Sequence, residues 1–159
     1  MEKKEFNLEK EYTPLKEKYK LPDLKMLEED FDLENLPDKE TRFLLREIRK
    51  MIIDKISAYE TLFETLINPS SPPMYVFSIL RSIEEKDKEK IRSVYKKLSR
   101  LRIKAIALSA IYNETAEAEF IINSFKIWQE LKKEIFDIFE NFENNFEKEN
   151  GSKRRDYYN

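Results

Sequence analysis

The sequence contains neither cysteine nor histidine. Without cysteine the chain has no disulfide, no thiolate metal ligand and no thiol nucleophile, and without histidine it lacks the usual acid–base group near neutral pH. The ferritin-like di-metal bundle is excluded too, because that site requires a Glu-x-x-His motif. A Mg²⁺ or Ca²⁺ site built from carboxylates alone stays open. The composition therefore predicts that the protein is not an enzyme, and it indicates no cofactor, no assigned metal ligand and no small-molecule substrate.

Glycine is almost as scarce, since Gly151 is the only one among 159 residues. Glycine-rich phosphate loops cannot be built without glycine, and strand-rich folds need it at tight turns. The chain has no uninterrupted apolar run near the ~18 residues of a membrane span, and its start, MEKKEFNLEKEY, has no signal-peptide core. We expect a cytoplasmic protein with no membrane contact, built from helices joined by short polar turns.

The longest amphipathic pattern covers residues 115–146, which contain the only tryptophan, Trp128. Its main apolar face follows the i, i+3, i+4, i+7 spacing of a helix that packs on a core. A second apolar row beside it comprises Phe120, Ile127, Leu131 and Ile138. Together the two cover roughly 200° of the helix, against about 100° for an ordinary surface helix. Either shorter helices of the same chain cover the second row, or it is a seam for self-association or a protein partner.

The same periodicity elsewhere predicts an all-α fold, an antiparallel bundle of three long helices braced by two short ones. The long helices are expected over residues 38–67, 87–112 and 115–146, and the short ones over residues 22–32 and 72–84. The clearest turn signal between them is NPSSPP at residues 68–73.

Along the chain we expect one domain with two less ordered ends. Residues 1–20 are predicted to be a loosely ordered charged arm, because Pro14 interrupts any long helix there. Residues 21–147 are predicted to form a single helical-bundle domain. Residues 148–159 are polar and are predicted to be a disordered tail.

The short helix at residues 72–84 carries the most apolar short segment of the chain, MYVFSILRSI. We predict that this segment is buried against the long helices, because free exposure of so much apolar surface promotes aggregation. An exposed docking segment is the alternative.

The strongest local charge signal is KIRSVYKKLSRLRIK, residues 90–104, which holds seven basic residues and no acidic one. Helical spacing spreads five of these across an outer face, namely Lys90, Lys96, Lys97, Arg100 and Lys104. A basic stripe of this kind can neutralise nucleic-acid phosphates without reading sequence. The alternative is neutralisation inside the molecule, since the first 40 residues hold 13 acids against eight lysines and the net charge is only −2.

Two basic residues fall inside predicted apolar faces and are candidates for buried charge. Lys55 lies within the face of the helix at residues 38–67, where its long stem can lie on apolar neighbours while the ammonium reaches an edge. Arg102 lies by angle between Leu98 and Ala105. We expect Arg102 either to pair with a glutamate of an adjacent helix or to extend to the edge of the stripe.

These features favour a non-catalytic helical interaction or scaffold module, either self-associating or a subunit of a larger assembly. The over-wide apolar face of residues 115–146 and the missing catalytic residue types support this interpretation. The alternative is a nucleic-acid-associated helical protein that binds phosphates through residues 90–104.

Overall fold

A computed structural model describes residues 6–36 and 42–156 of the chain, with side chains at residues 6–34, 36 and 42–148. This part of the chain contains six α-helices, one short 3₁₀-helix at Leu33–Asn35 and no β-strand. The helices are α1 (Leu8–Tyr19), α2 (Leu24–Phe31), α3 (Leu44–Ile67), α4 (Met74–Ser82), α5 (Glu85–Ala110) and α6 (Glu114–Asp156).

The predicted all-α fold is confirmed, because α3, α5 and α6 are long helices that pack together with short helices around them. The predicted ends of the helices hold to within two residues where the chain is described, except that α6 extends ten residues beyond the predicted end at Phe146. Residues 38–41 of the first predicted long helix lie outside the described part. Asn113 begins α6 as a cap, since its Oδ1 accepts a hydrogen bond from the Ala116 N–H at 2.9 Å.

The predicted disordered tail is wrong as far as Asp156, because α6 continues to that residue. Residues 157–159 lie outside the described part of the chain. Gly151 does not end the helix, since glycine in a helix interior costs only about 1 kcal/mol relative to alanine.

The predicted loose arm is also wrong, because residues 8–19 form α1 with Pro14 in its interior. The Asn7 side chain caps this helix by accepting a hydrogen bond from the Lys10 N–H at 3.0 Å. Tyr12 is buried and its hydroxyl donates to the Pro22 carbonyl oxygen at 2.7 Å. Burial raises the pKa of the Tyr12 hydroxyl. The free energy gained by burying Tyr12 offsets the loss of the backbone hydrogen bond that Pro14 cannot donate.

The described chain divides into two compact units. The first unit consists of the described residues up to Ala58 together with Arg100–Trp128. Its core is apolar and includes Leu27, Phe31, Leu45, Ile48, Ile52, Ile56, Phe120 and Ile121. Within this unit α5 runs antiparallel to α3, as two contacts show. Phe43, just before α3, packs edge-on against Tyr112, just after α5, and Arg49 donates a hydrogen bond to the Ala105 carbonyl oxygen.

The second unit consists of Tyr59–Ser99 and the described residues from Gln129 onward. Its buried side chains include Phe63, Leu66, Val76, Ile91, Val94, Leu98, Leu131, Ile138 and Phe142. Phe139 packs edge-on against both Phe63 and Phe142, at ring-centroid distances of 6.0 Å and 5.6 Å. Asp87 secures the start of α5, since its Oδ2 accepts a hydrogen bond from the Glu84 N–H at 3.2 Å. The prediction of a single domain over residues 21–147 stays a prediction.

Candidate interaction surfaces

Three of the four residues of the predicted seam lie in the interior of the chain's own structure, and the fourth is partly covered. Phe120, Leu131 and Ile138 are at most 2% exposed, and Ile127 is half-buried. Phe120 and Ile127 belong to the first unit, and Leu131 and Ile138 to the second. Of the two alternatives for this row, the structure therefore favours cover by the same chain. A partner surface must be sought elsewhere.

The five predicted phosphate-contacting residues are mostly exposed. Lys90, Lys96, Arg100 and Lys104 are exposed, and among the described residues no ion pair joins any of them to an acid. Lys97 is half-buried, and its Nζ lies 2.9 Å from Glu134 Oε1. Neutralisation by a neighbouring acid thus applies to one of the five.

Arg102 is exposed, which contradicts its assignment as a buried charge. The buried arc of α5 is centred nearer Leu101, which is 2% exposed, and Arg102 lies about 100° further round the helix. Lys55 is half-buried, and its Nζ lies 3.4 Å from Asp32 Oδ2. The expected geometry for Lys55, a buried stem with the ammonium at an edge, matches this position.

Among the described side chains of the first unit, the buried charged residues are Arg49 and Glu117, neither of which the apolar pattern identified. Arg49 Nε donates to Glu117 Oε2 at 2.6 Å, and the exposed fractions of the two residues are 5% and 0%. Arg46 Nε lies 3.9 Å from the other carboxylate oxygen, and its guanidinium covers the rings of Phe43 and Tyr112. The sequence did contain a sign of the buried Arg49. It occurs four residues after Leu45, which places an arginine at helical spacing within an apolar face.

A second polar contact joins α1 to the start of α6. The Tyr19 hydroxyl donates to Glu114 Oε1 at 2.6 Å, and Lys18 Nζ lies 2.9 Å from the same oxygen. These hydrogen bonds, from Tyr19 first and Lys18 second, lower the pKa of Glu114. The contact lies at the surface, and Glu114, Tyr19 and Lys18 bond to one another within the chain.

An uncovered apolar stripe follows the C-terminal half of α5. Its members are all exposed, namely Ile103, Ile106, Ala107, Ala110 and, directly after the helix, Ile111. The exposed fractions of the three isoleucines are 67%, 62% and 78%. At roughly 100° per residue the stripe is centred opposite the buried Leu101 and Ala105. We call it the α5 stripe.

Basic side chains border the α5 stripe on both sides. By helical angle Arg100 and Lys104 lie along one edge and Arg102 along the other, and all three are exposed. The helical spacing of residues 103, 106, 107 and 110 is present in the sequence. It was not identified as a separate surface because the opposite face of the same helix has the stronger apolar pattern and forms the core.

The second unit has an apolar groove formed by α3, α4 and α6. One hollow of about 320 Å³ is lined by α4 and α6, and an adjoining one of about 390 Å³ by α3 and α6, with Phe139 lining both. We call the two together the aromatic groove, after Tyr59, Tyr75, Phe136, Phe139, Phe142 and Phe146. Phe136 is 66% exposed, Tyr75 63% and Phe146 47%.

The predicted burial of the α4 segment is only partly right. Val76 is buried, but Met74 is 83% exposed, and Tyr75 and Phe77 are exposed as well. The reason is geometric, because a helix of nine residues has one face to pack and α4 carries apolar residues around most of its circumference. Of these exposed residues, Tyr75 lines the aromatic groove.

Acidic side chains accompany the aromatic groove along α6. Glu143 lines the groove, and Glu140 and Glu147 are exposed on the same side of the helix. Residues 134–147 contain five acids and no basic residue. Lys132, at the adjoining hollow, is the one basic residue among the lining side chains there.

Within residues 6–36 and 42–156 no group of three acidic side chains is arranged so that it could hold a metal ion. In the same part of the chain, no helix combines the length and apolarity needed to cross a bilayer. Comparison with family models, with curated proteins and with solved structures found no match to this chain.

Proposed function

We propose that the protein is a non-catalytic helical interaction module that binds a protein partner through apolar surface left uncovered by its own fold. The observation that carries this proposal is the α5 stripe. Three isoleucines more than 60% exposed follow one side of a helix whose opposite side is already buried in the core. Single exposed apolar residues are ordinary, but an ordered row at helical spacing is typical of an interaction site.

The energetic scale supports binding at this stripe. Fully burying an isoleucine side chain is worth about 1.5–3 kcal/mol, so covering three of them yields several kcal/mol before the costs of association. Most of that gain is unrealised in the isolated chain, because more than 60% of each isoleucine is exposed. A partner helix lying along α5 would realise it.

The buried ion pair supports the non-catalytic interpretation. Glu117 is fully buried and Arg49 is 5% exposed, so neither reaches solvent where a substrate would bind. Their contacts join helices of the same unit. This arrangement is that of a structural pair enclosed by its own core.

The proposal is tested by placing the photo-cross-linking residue p-benzoylphenylalanine at Ile106 in extracts of the native host. Glu119, an exposed residue of α6 in the same unit, is the matched control position. We expect discrete cross-linked products from position 106 that are absent from position 119, and that disappear when Ile103→Ser and Ile111→Ser are added. Identical products from both positions, or none from position 106, would refute the proposal.

A second candidate function is phosphate binding by the basic residues of α5. It is favoured by the exposure of Lys90, Lys96, Arg100 and Lys104 without an ion pair among the described residues. This hypothesis predicts nucleic-acid affinity that falls steeply with salt and is lost on Lys90→Glu and Lys96→Glu, measured by fluorescence anisotropy. Ile106→Ser should leave that affinity unchanged. The protein-partner function predicts instead that Ile106→Ser weakens binding of the partner, and that Lys90→Glu and Lys96→Glu leave binding of the partner unchanged.

A further inference from the structure

We propose that the partner is a second copy of this chain, and that the α5 stripe of one copy docks into the aromatic groove of another. This inference rests on the function proposed above and identifies the partner that such a module would bind. It predicts a head-to-tail contact, in which two different surfaces of identical chains meet.

The shapes of the two surfaces are suited to each other. The α5 stripe is a convex row of isoleucine and alanine on a helix, and the aromatic groove is a concave apolar surface with hollows of about 320 and 390 Å³. An apolar helix face that lies in an aromatic-lined groove is a common mode of protein recognition. Both surfaces are exposed in the single chain.

The charges at the two surfaces are opposite. Residues 90–112 contain seven basic residues and no acid, and Arg100, Arg102 and Lys104 border the stripe. Residues 134–147 contain five acids and no basic residue, and Glu140 and Glu143 accompany the groove. Docking therefore places a basic border against an acidic one, which steers the encounter and sets its orientation.

The same charges disfavour contacts between identical surfaces. If two stripes met, Arg100 and Lys104 of both copies would come together, and if two grooves met, Glu140 and Glu143 would do so. Like charges brought together at an interface oppose association. A heterologous contact avoids both conflicts, and it leads to a reciprocal pair, a closed ring or an open chain of copies.

The experiment uses three full-length variants and measures mass by light scattering and analytical ultracentrifugation from micromolar to millimolar concentration. The stripe variant is Ile103→Ser/Ile106→Ser and the groove variant is Phe136→Ser/Phe146→Ser. Met26→Ser, which removes an exposed apolar side chain from α2 outside both surfaces, is the matched control. Circular dichroism confirms that each variant is folded.

We expect the wild-type chain and the control to self-associate, and the stripe and groove variants to be monomeric when each is alone. A mixture of the two variants should regain association, because the stripe variant keeps an intact groove and the groove variant keeps an intact stripe. A wild-type protein that is monomeric throughout, or a mixture that stays monomeric while the wild type associates, would overturn the inference.

Charge reversal provides a second set of variants that leaves the apolar surfaces intact. Arg100→Glu/Lys104→Glu and Glu140→Lys/Glu143→Lys change only exposed side chains. We expect each to weaken self-association at least tenfold at low salt, and a mixture of the two to restore it. Weakening without restoration in the mixture contradicts the pairing of these two borders.

The failure of this inference is distinguishable from the failure of the proposed function. If the partner is a second copy, the cross-linked product from position 106 has the mass of two chains and maps to residues 135–146. Products of another mass, with a monomeric wild-type chain, leave the interaction module standing and reject self-association. The absence of any product from position 106 rejects the proposed function itself.

Discussion

Arg49 Nε donates a hydrogen bond to Glu117 Oε2 at 2.6 Å, with both side chains enclosed in the core of the first unit. The same guanidinium donates from Nη1 to the Ala105 carbonyl oxygen at 3.3 Å. One side chain of α3 thereby bonds to both α6 and α5. A buried pair of this kind fixes which faces of the three helices meet, because any other rotation would leave a charge without a partner.

Removal of Arg49 alone should be strongly destabilising. Arg49→Met removes the hydrogen-bonded partner of the buried Glu117 carboxylate and leaves only the more distant Arg46 beside it, so we expect the free energy of unfolding to fall by about 3 kcal/mol or more. Urea denaturation followed by circular dichroism measures the change. Arg46→Met is the matched control, since the Arg46 Nε lies 3.9 Å from the same carboxylate and the side chain is partly exposed. The control should cost clearly less.

The double variant separates the charge from the packing. Arg49→Met/Glu117→Leu removes both charges and keeps apolar volume, so it should recover most of the stability that Arg49→Met loses. Equal losses in the single and double variants would mean that the pair matters only through its shape.

Replacement of Pro14 by alanine should stabilise α1. Proline in a helix interior is about 3 kcal/mol less favourable than alanine, and the change restores a backbone donor toward the Lys10 carbonyl. We expect slower hydrogen exchange of the backbone amides in Leu8–Tyr19, measured by mass spectrometry. Glu17→Ala, at an exposed position of the same helix, is the control and should change little. Faster exchange in Pro14→Ala would contradict the prediction.

The contact of Glu114 with Tyr19 and Lys18 should contribute a pH-dependent part of stability. Hydrogen bonds from Tyr19 and then Lys18 hold the pKa of Glu114 below its ordinary value of 4.5. Because the folded-state pKa is the lower one, this stability is present above about pH 4.5 and is lost as the pH falls toward the folded-state value. Glu114→Gln should therefore be less stable than the wild type at pH 7, with a difference that shrinks below pH 4.5.

Urea denaturation of both proteins between pH 3 and pH 7 measures that difference. Glu119→Gln, an exposed position on the same helix, is the control and should follow the wild type. A difference between Glu114→Gln and the wild type that stays constant across the whole range would contradict a role for this carboxylate's protonation.

The α5 stripe should contribute little to folding of the single chain. Ile103→Ser, Ile106→Ser and Ile111→Ser each replace a side chain at least 62% exposed, and surface substitutions of this kind usually change stability by less than about 0.5 kcal/mol. Leu101→Ser, in the buried arc on the opposite side of α5, should cost several times more. Thermal unfolding at low protein concentration compares them, and a large loss in the stripe variants would place these isoleucines in the core instead.

The sequence by itself determined the helical class and the approximate place of each helix. The 3.6-residue spacing of apolar residues, the scarcity of glycine and the turn around Asn68 and Pro69 were sufficient, because helix formation and termination depend on neighbouring residues. The end of α3 at Ile67 and the cap of α6 at Asn113 are cases in which this local chemistry decides the boundary.

The tertiary structure alone decided which apolar side chains are covered. In α4, α5 and α6 apolar residues occupy more than one face of the helix. Periodicity therefore indicates several faces that could be buried, and it does not indicate which of them is buried. Burial at Phe120 and exposure at Ile106 follow from which neighbouring helix lies against each face, as does burial of charge at Arg49 instead of Arg102. The helix through Pro14 is a similar case, since Tyr12 is buried and its hydroxyl bonds to Pro22, which lies outside its own helix. These outcomes depend on contacts between different helices, and the pattern of residues within one helix does not specify those contacts.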